Sequence, residues 1–460
     1  MTSAAKKIKH PETQRIRNNI LSQLKDFCKK RDRENPPVII RAEVDVKGLE
    51  ALPWLAAQQP TSRGYWSDRD NHFELAGIGA ADVITGDLAI DYHKLMKILH
   101  YRLATSNKSP RYFGGSRFTF KGRRENSWNY FKAYRFILPR FEVKTHYDRT
   151  TFACNMLSNE DINTIKAALS HLSFPRTDYI PEKIPQCLLR FDSPDYKQWC
   201  NFVKTTLDSL ESDCFEKVVL SRKTTLKFSK PLNTASLLSS LKKNTFKCFH
   251  FLFQPHARSG FLGASPERLY SRDKDIIQTE AIAGSRRRGD SNKKDKALSN
   301  ELATSEKDFR EHKYVVDDIQ KTLNGFCEST QMDENPRLLK LSQCQHLITN
   351  FKGKLFSGIK DADLLASFHP TPAVGGTPKD RALEEILLRE PFDRGWYAGP
   401  VGWIGKDSAQ FVVGIRSGLT EGRFLHLFAG AGIVKGSIPE EEWDEIEAKI
   451  NDFVTLFDHP

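Results

Sequence analysis

Two segments of this 460-residue chain place carboxylates at helical spacing. In residues 299–323, Asp308 and Glu311 stand at i and i+3, followed by His312 and then Val315, Val316 and Ile319. In residues 440–457, Glu442, Glu445 and Lys449 stand at i, i+3 and i+7. Such residues share one flank of a helix. Here that flank lies beside an apolar stripe of Trp443, Ile446, Ile450, Phe453 and Phe457, which must face the core. Two helices that each offer a pair of carboxylates can converge on a hard cation. Magnesium takes a few carboxylate oxygens, keeps water and accepts an anionic substrate. The same spacing also serves a solvated helix face, as most runs of Glu and Asp do. No His-Glu-x-x-His pair, EF-hand loop or phosphate-cradling glycine loop offers a competing site.

Two glycine-rich stretches could bring a backbone close to a ligand. Ala429-Gly430-Ala431-Gly432-Ile433-Val434 is a strand pattern stripped of side chains at alternate positions. Ala283-Gly284-Ser285-Arg286-Arg287-Arg288-Gly289 reads as a turn with three arginines, either a basic surface loop or a carboxylate or phosphate contact.

These residues need elements to hold them. Residues 41–141 read as short strands separated by turns, among them 73–78, 117–120 and 134–138. A helix follows residue 158, residues 175–186 form a proline-containing polar stretch, and 195–210 read as another helix. The second half is more regular. Strands are expected at 215–224, 248–254, 260–264, 268–271, 276–283, 399–404, 410–419 and 424–434. Helices are expected at 232–243, 299–323, 362–368, 378–388 and 440–457. Hairpin-linked strands covered by long helices indicate an α+β fold with large antiparallel sheets.

Composition bounds the function class. Hydrophobic residues make up 39% and charged residues 28% of the chain, ordinary for a globular protein. No apolar run approaches the roughly 18 residues of a membrane span. Lys6, Lys7 and Lys9 are not followed by an apolar segment, so no secretory signal is read there and a cytoplasmic location is expected. The eight cysteines, Cys214 among them, form no Cys-x-x-Cys pair and read as reduced thiols. The net charge of +12 is concentrated partly around Ile16, Ile20, Leu24 and Phe27, which recur at helical spacing among basic residues. That pattern predicts an amphipathic surface helix. No nucleic-acid-binding signature accompanies it.

Taken in order, several blocks resemble one family. They are Lys217-Val218-Val219-Leu220-Ser221-Arg222, Gly263-Ala264-Ser265-Pro266-Glu267, Ala283 to Arg287, Ser305-Glu306-Lys307-Asp308 with Glu311-His312, and His369-Pro370-Thr371-Pro372-Ala373-Val374-Gly375-Gly376. Glu390 to Arg394, Gly399 to Trp403, Phe428 to Val434 and Trp443 to Lys449 continue the series. Together they resemble the chorismate-utilising enzymes, from Phe215 to Phe457. Leu52 to Ala56 and Phe136 to Glu142 are similar to the more variable first half of isochorismate synthases.

The resemblance implies a four-layer arrangement, two large antiparallel sheets packed centrally with helices outside. Residues 1–195 would be a variable N-terminal region contributing strands, and 196–460 the chorismate-binding catalytic region. The implied reaction adds water at ring carbon 2 of chorismate, shifts the double bonds and expels the hydroxyl at carbon 4. By resemblance Lys217 is the base and Glu267 the acid. A lysine must be brought down from ~10.4 and a glutamate up from ~4.3 for these tasks. Glu311 and Glu445 match magnesium ligands, with Asp308 and Glu442 in support. Arg416 and Lys449 match contacts to substrate carboxylates, as do backbone amides near Gly284, Ser285, Gly430 and Gly432. His346 matches a histidine near the ring, and Tyr397 lines the pocket.

Ala373 stands where salicylate- and anthranilate-forming members tend to carry threonine, so the chain looks like an isochorismate synthase. The Gly395-Trp396-Tyr397-Ala398-Gly399 wording looks like the menaquinone-pathway type. A salicylate synthase, or an isochorismate synthase of a siderophore pathway, is the alternative. A basic nucleic-acid-binding protein without catalysis is a third reading, but it predicts broken catalytic positions, and Lys217, Glu267, Glu311 and Glu445 are intact. The implied partners are Mg2+ and chorismate, with no nucleic acid and no membrane, in a monomer or weak homodimer.

Overall fold

The structure, a computed structural model, describes residues 11–30, 37–59, 61–89, 91–175, 179–212 and 215–457. Cys214, Lys6, Lys7 and Lys9 lie outside the described residues. The seven described cysteines form no disulfide.

The long strand Tyr134–His146 is the branch point of the sheet topology. One of its edges pairs along its length with Phe73–Gly86. Its other edge is shared, Tyr112–Ser116 taking residues 134–137 and Arg149–Leu157 taking residues 141–146. From Phe73–Gly86 a first sheet runs through Arg63–Ser67, Phe249–His256, Ser259–Ser265, Ser417–Glu421, Phe424–Ile433 and Lys217–Phe228 to Cys187–Ser193. From Tyr112–Ser116 a second runs through Pro400–Ile404, Ser408–Val413, Arg268–Asp273 and Ile276–Arg287 to Cys344–Leu355. Every pairing is antiparallel, so the expected two sheets are present, joined through one shared strand.

Helices cover the sheets. Glu306–Phe326 packs on Ile276–Arg287, Pro439–Val454 on Phe424–Ile433, and Lys379–Arg389 on Lys217–Phe228. The N-terminal helix Pro11–Lys30 packs on Ile39–Asp45 and buries Ile16, Ile20 and Leu24, as its spacing predicts. No helix among the described residues is long and apolar enough to cross a membrane.

Four local expectations differ from the structure. The helix expected at 299–323 is two helices, Asn292–Leu302 and Glu306–Phe326. Ser305 ends the continuity because its side chain accepts from the Asp308 amide, a cap that competes with helical continuation. The strand expected at 410–419 is broken between Ser408–Val413 and Ser417–Glu421, where Arg416 takes a left-handed φ of 48°. Residues 41–141 contain the helices Ala51–Ala56 and Tyr92–Ala104, and 117–120 is not a strand. The arginine-rich stretch at 283–289 is no turn, since Ile276–Arg287 stays in register with Cys344–Leu355 through Arg287, with one irregularity at Gly284.

Candidate functional site

A cavity of about 640 Å³ opens between the two sheets. Val219, Ala429, Gly430 and Gly432 come from the first sheet, and Ile282 to Ser285 with His346 from the second. Glu267, Glu311, Ala373, Tyr397, Arg416, Glu445 and Lys449 complete the polar and small part of its wall.

Lys217 opens the strand Lys217–Phe228 and is fully buried, 0% exposed. Its Nζ lies 3.0 Å from Glu311 Oε1, so the carboxylate on the long helix and the lysine on the sheet are one ion pair. Gly432 makes room for that pair. A Cβ there would stand 2.5 Å from Glu311 Oε1 and 3.1 Å from Lys217 Cε. Gly430 is similarly constrained, since a Cβ would meet Ser221 Oγ at 2.8 Å. The alternate glycines of the strand are therefore explained by close approach.

Glu267 follows strand Ser259–Ser265 and is buried. Thr371 Oγ donates to its Oε1 at 3.3 Å. Burial first, and then the nearby Glu280 carboxylate, push its carboxyl up to about 8, against the opposing pull of Lys217 and Lys449. A carboxyl so placed holds its proton at neutral pH, as a general acid must.

A buried chain of bonds sets Arg416. Its Nη1 donates to Asp452 Oδ2 at 2.9 Å, and its Nη2 donates to His346 Nε2 at 3.2 Å. With Nε2 accepting, the imidazole proton sits on Nδ1, within reach of Ser285 Oγ at 2.9 Å and the Gly284 carbonyl at 3.2 Å. Burial, reinforced by Arg416, lowers His346 to about 3, so it is neutral here. The left-handed backbone at Arg416 turns the chain out of the sheet at this point, a costly conformation for a residue with a side chain.

On the final helix, Lys449 Nζ lies 2.6 Å from Glu445 Oε1 and donates to the Gly430 carbonyl at 2.8 Å. Burial alone would raise Glu445, but Lys449 outweighs it and holds the carboxylate low. Asp308 and Glu442 do not line the cavity. Asp308 is buried against Arg286, Nη2 to Oδ2 2.8 Å, and Glu442 against Lys307, Nζ to Oε1 2.9 Å. Burial, then Glu445, push Glu442 up to about 7.

Sequence reasoning thus named most of the wall, but it missed Thr371 as a partner of Glu267 and Asp452 as the partner of Arg416. Asp452 was within reach, because the spacing Glu442, Glu445, Lys449 continues to it along the same helix flank. Thr371 carried no comparable signal, as its neighbour Glu267 is 104 residues away.

Besides Glu267, two carboxylates, Glu311 and Glu445, face the cavity. Among the described residues no three His, Cys, Asp or Glu side chains are grouped as a metal cage. That set fits an ion such as magnesium, which takes one or two protein carboxylates and completes its shell with water and an anionic ligand.

Known proteins resemble this chain over nearly its whole length. The family model described as chorismate binding enzyme matches residues 20–457. The isochorismate synthase MenF of Haemophilus influenzae is 30% identical over 421 residues, 91% of this chain and 92% of that protein. The isochorismate synthase MenF of Bacillus subtilis is 29% identical over 92% of this chain and 94% of its own length. The solved structure of MenF, the menaquinone-specific isochorismate synthase from Escherichia coli, superposes with a TM-score of 0.83 at 27% identity, covering 96% of this chain and 99% of that one.

Proposed function

Because this chain belongs to the chorismate binding enzyme family, we propose that its cavity takes chorismate and that the protein is an isochorismate synthase serving menaquinone formation. The reaction is an isomerisation. Water forms a bond to ring carbon 2, the ring double bonds shift, and the bond from carbon 4 to its hydroxyl breaks. One water enters and one leaves.

The single observation that carries this reading is a buried carboxyl in the cavity wall, Glu267, together with a fully buried lysine, Lys217, that reaches the same cavity through its ion pair with the wall residue Glu311. As the free amine, released from its ion pair with Glu311, Lys217 takes the proton from the attacking water. Glu267 gives its proton to the departing hydroxyl, which leaves as water. Opposed protonation demands within one site allow acid and base chemistry at a single pH. Arg416 and Lys449 bring positive charge to the cavity wall, and they anchor the two carboxylates of the substrate. The neutral His346 cannot donate from Nε2 and serves to hold the guanidinium. Glu311 and Glu445 would hold Mg2+, whose contribution is to neutralise and fix a substrate carboxylate. Ala373 lies in the cavity wall, where a small side chain leaves the ring uncrowded.

The test is to replace Lys217 by Met and Glu267 by Gln separately. Each variant is expected to retain the fold by circular dichroism and to lose isochorismate formation. Full turnover in either variant would remove that residue from its assigned role.

A further inference from the structure

The turn that carries Glu267 is held by two residues that lie outside the cavity wall, Arg69 and Glu280. Arg69 lies in the hairpin turn between Arg63–Ser67 and Phe73–Gly86, in the N-terminal half. Its guanidinium donates to the Pro266 carbonyl and to both oxygens of Glu280, with Nη1 to Oε2 at 3.1 Å. Glu280 Oε1 in turn accepts from the Arg268 amide at 2.7 Å. The carbonyl before Glu267 and the amide after it are thus tied to one ion pair. That pair is enclosed, with Glu280 2% exposed and Arg69 lying 4.9 Å over the Phe249 ring.

We propose that Arg69 and Glu280 are positioning residues for the reaction: together they fix the Pro266–Arg268 turn that presents the Glu267 carboxyl to the cavity. The inference rests on the reading of Glu267 as the acid. The groups that face Glu267 are the Thr371 hydroxyl, Glu280, Lys217 and Lys449, while Arg69 and Arg268 face Glu280. A like charge beside a buried carboxyl disfavours its ionisation, and a cation beside that like charge partly cancels the effect. The two partners of the pair therefore act on Glu267 in opposite directions. A merely structural clamp would not.

The test reads Glu267 protonation without turnover. The carboxyl stretch of Glu267 is isolated as the infrared difference between chains with Glu267 and with Glu267→Gln, then followed against pH. Glu280→Gln is expected to move this titration, and the alkaline limb of kcat, to lower pH by about one unit. Arg69→Met, which leaves the Glu280 charge uncompensated, is expected to move both to higher pH and to reduce kcat about tenfold through slack in the turn. KM for chorismate should stay within about twofold in both. Titrations that coincide with the parent in both variants, while the parent turns over chorismate, would overturn the role of the pair alone. A parent that does not turn over chorismate would overturn the underlying acid assignment.

Discussion

Gly432 and Glu311 approach so closely that a single added methyl group would stand 2.5 Å from the Glu311 carboxylate oxygen. A glycine on the first sheet is thereby coupled to a carboxylate on a helix that covers the second, and through it to Lys217.

Gly432→Ala should therefore displace the Glu311 and Lys217 side chains together. A displacement of about 1 Å in a catalytic group costs roughly 10²-fold in rate. The prediction is a fall of that order in kcat/KM with unaltered circular dichroism. An alanine variant with parental kinetics would show that the pair has slack which the geometry denies.

Glu267 makes stability depend on pH. Its carboxyl is held at about 8 in the folded chain against an ordinary value of 4.5. The folded state thus keeps a proton that the unfolded chain releases. The stabilising contribution is full below the ordinary carboxylate range and is lost as pH rises to about 8. Denaturant titrations of the parent and of Glu267→Gln should diverge, the parent losing up to a few kcal/mol relative to the variant between about pH 5 and 8.5. Parallel curves would contradict the raised pKa of Glu267.

Glu445→Ala removes one of the two candidate ligand carboxylates and leaves Lys449 without its carboxylate partner. The magnesium concentration giving half-maximal activity should rise by at least the roughly 10–100-fold that loss of an outer partner already causes. A calorimetric titration with magnesium and the substrate together gives the same comparison without turnover. An unchanged magnesium titration would remove Glu445 from the ligand set.

Part of the candidate site was legible from regular helical spacing, while Lys217, Glu267, His346, Tyr397 and Arg416 were named only through the family resemblance. Glu311, Glu445 and Lys449 fell on core-facing flanks, and the glycines at 430 and 432 announced a close approach. The α+β class followed from hairpin-linked strands and long helices. Four features were not legible. The break at Ala303–Ser305 depends on a local cap that outcompetes a continuous apolar pattern. The left-handed Arg416 turns a β-branched run that reads as one strand. The Arg69–Glu280 pair joins positions 211 residues apart, a separation over which neither periodicity nor motif speaks. The joining of the two sheets through Tyr134–His146 is equally a matter of tertiary pairing, since a strand's sequence does not declare that its edge serves two partners.

The most direct test is to incubate the purified chain with chorismate, with and without magnesium, and to identify the products by chromatography and NMR. The account predicts magnesium-dependent isochorismate with no release of pyruvate. Salicylate with pyruvate, or no conversion in the presence of magnesium, would contradict it.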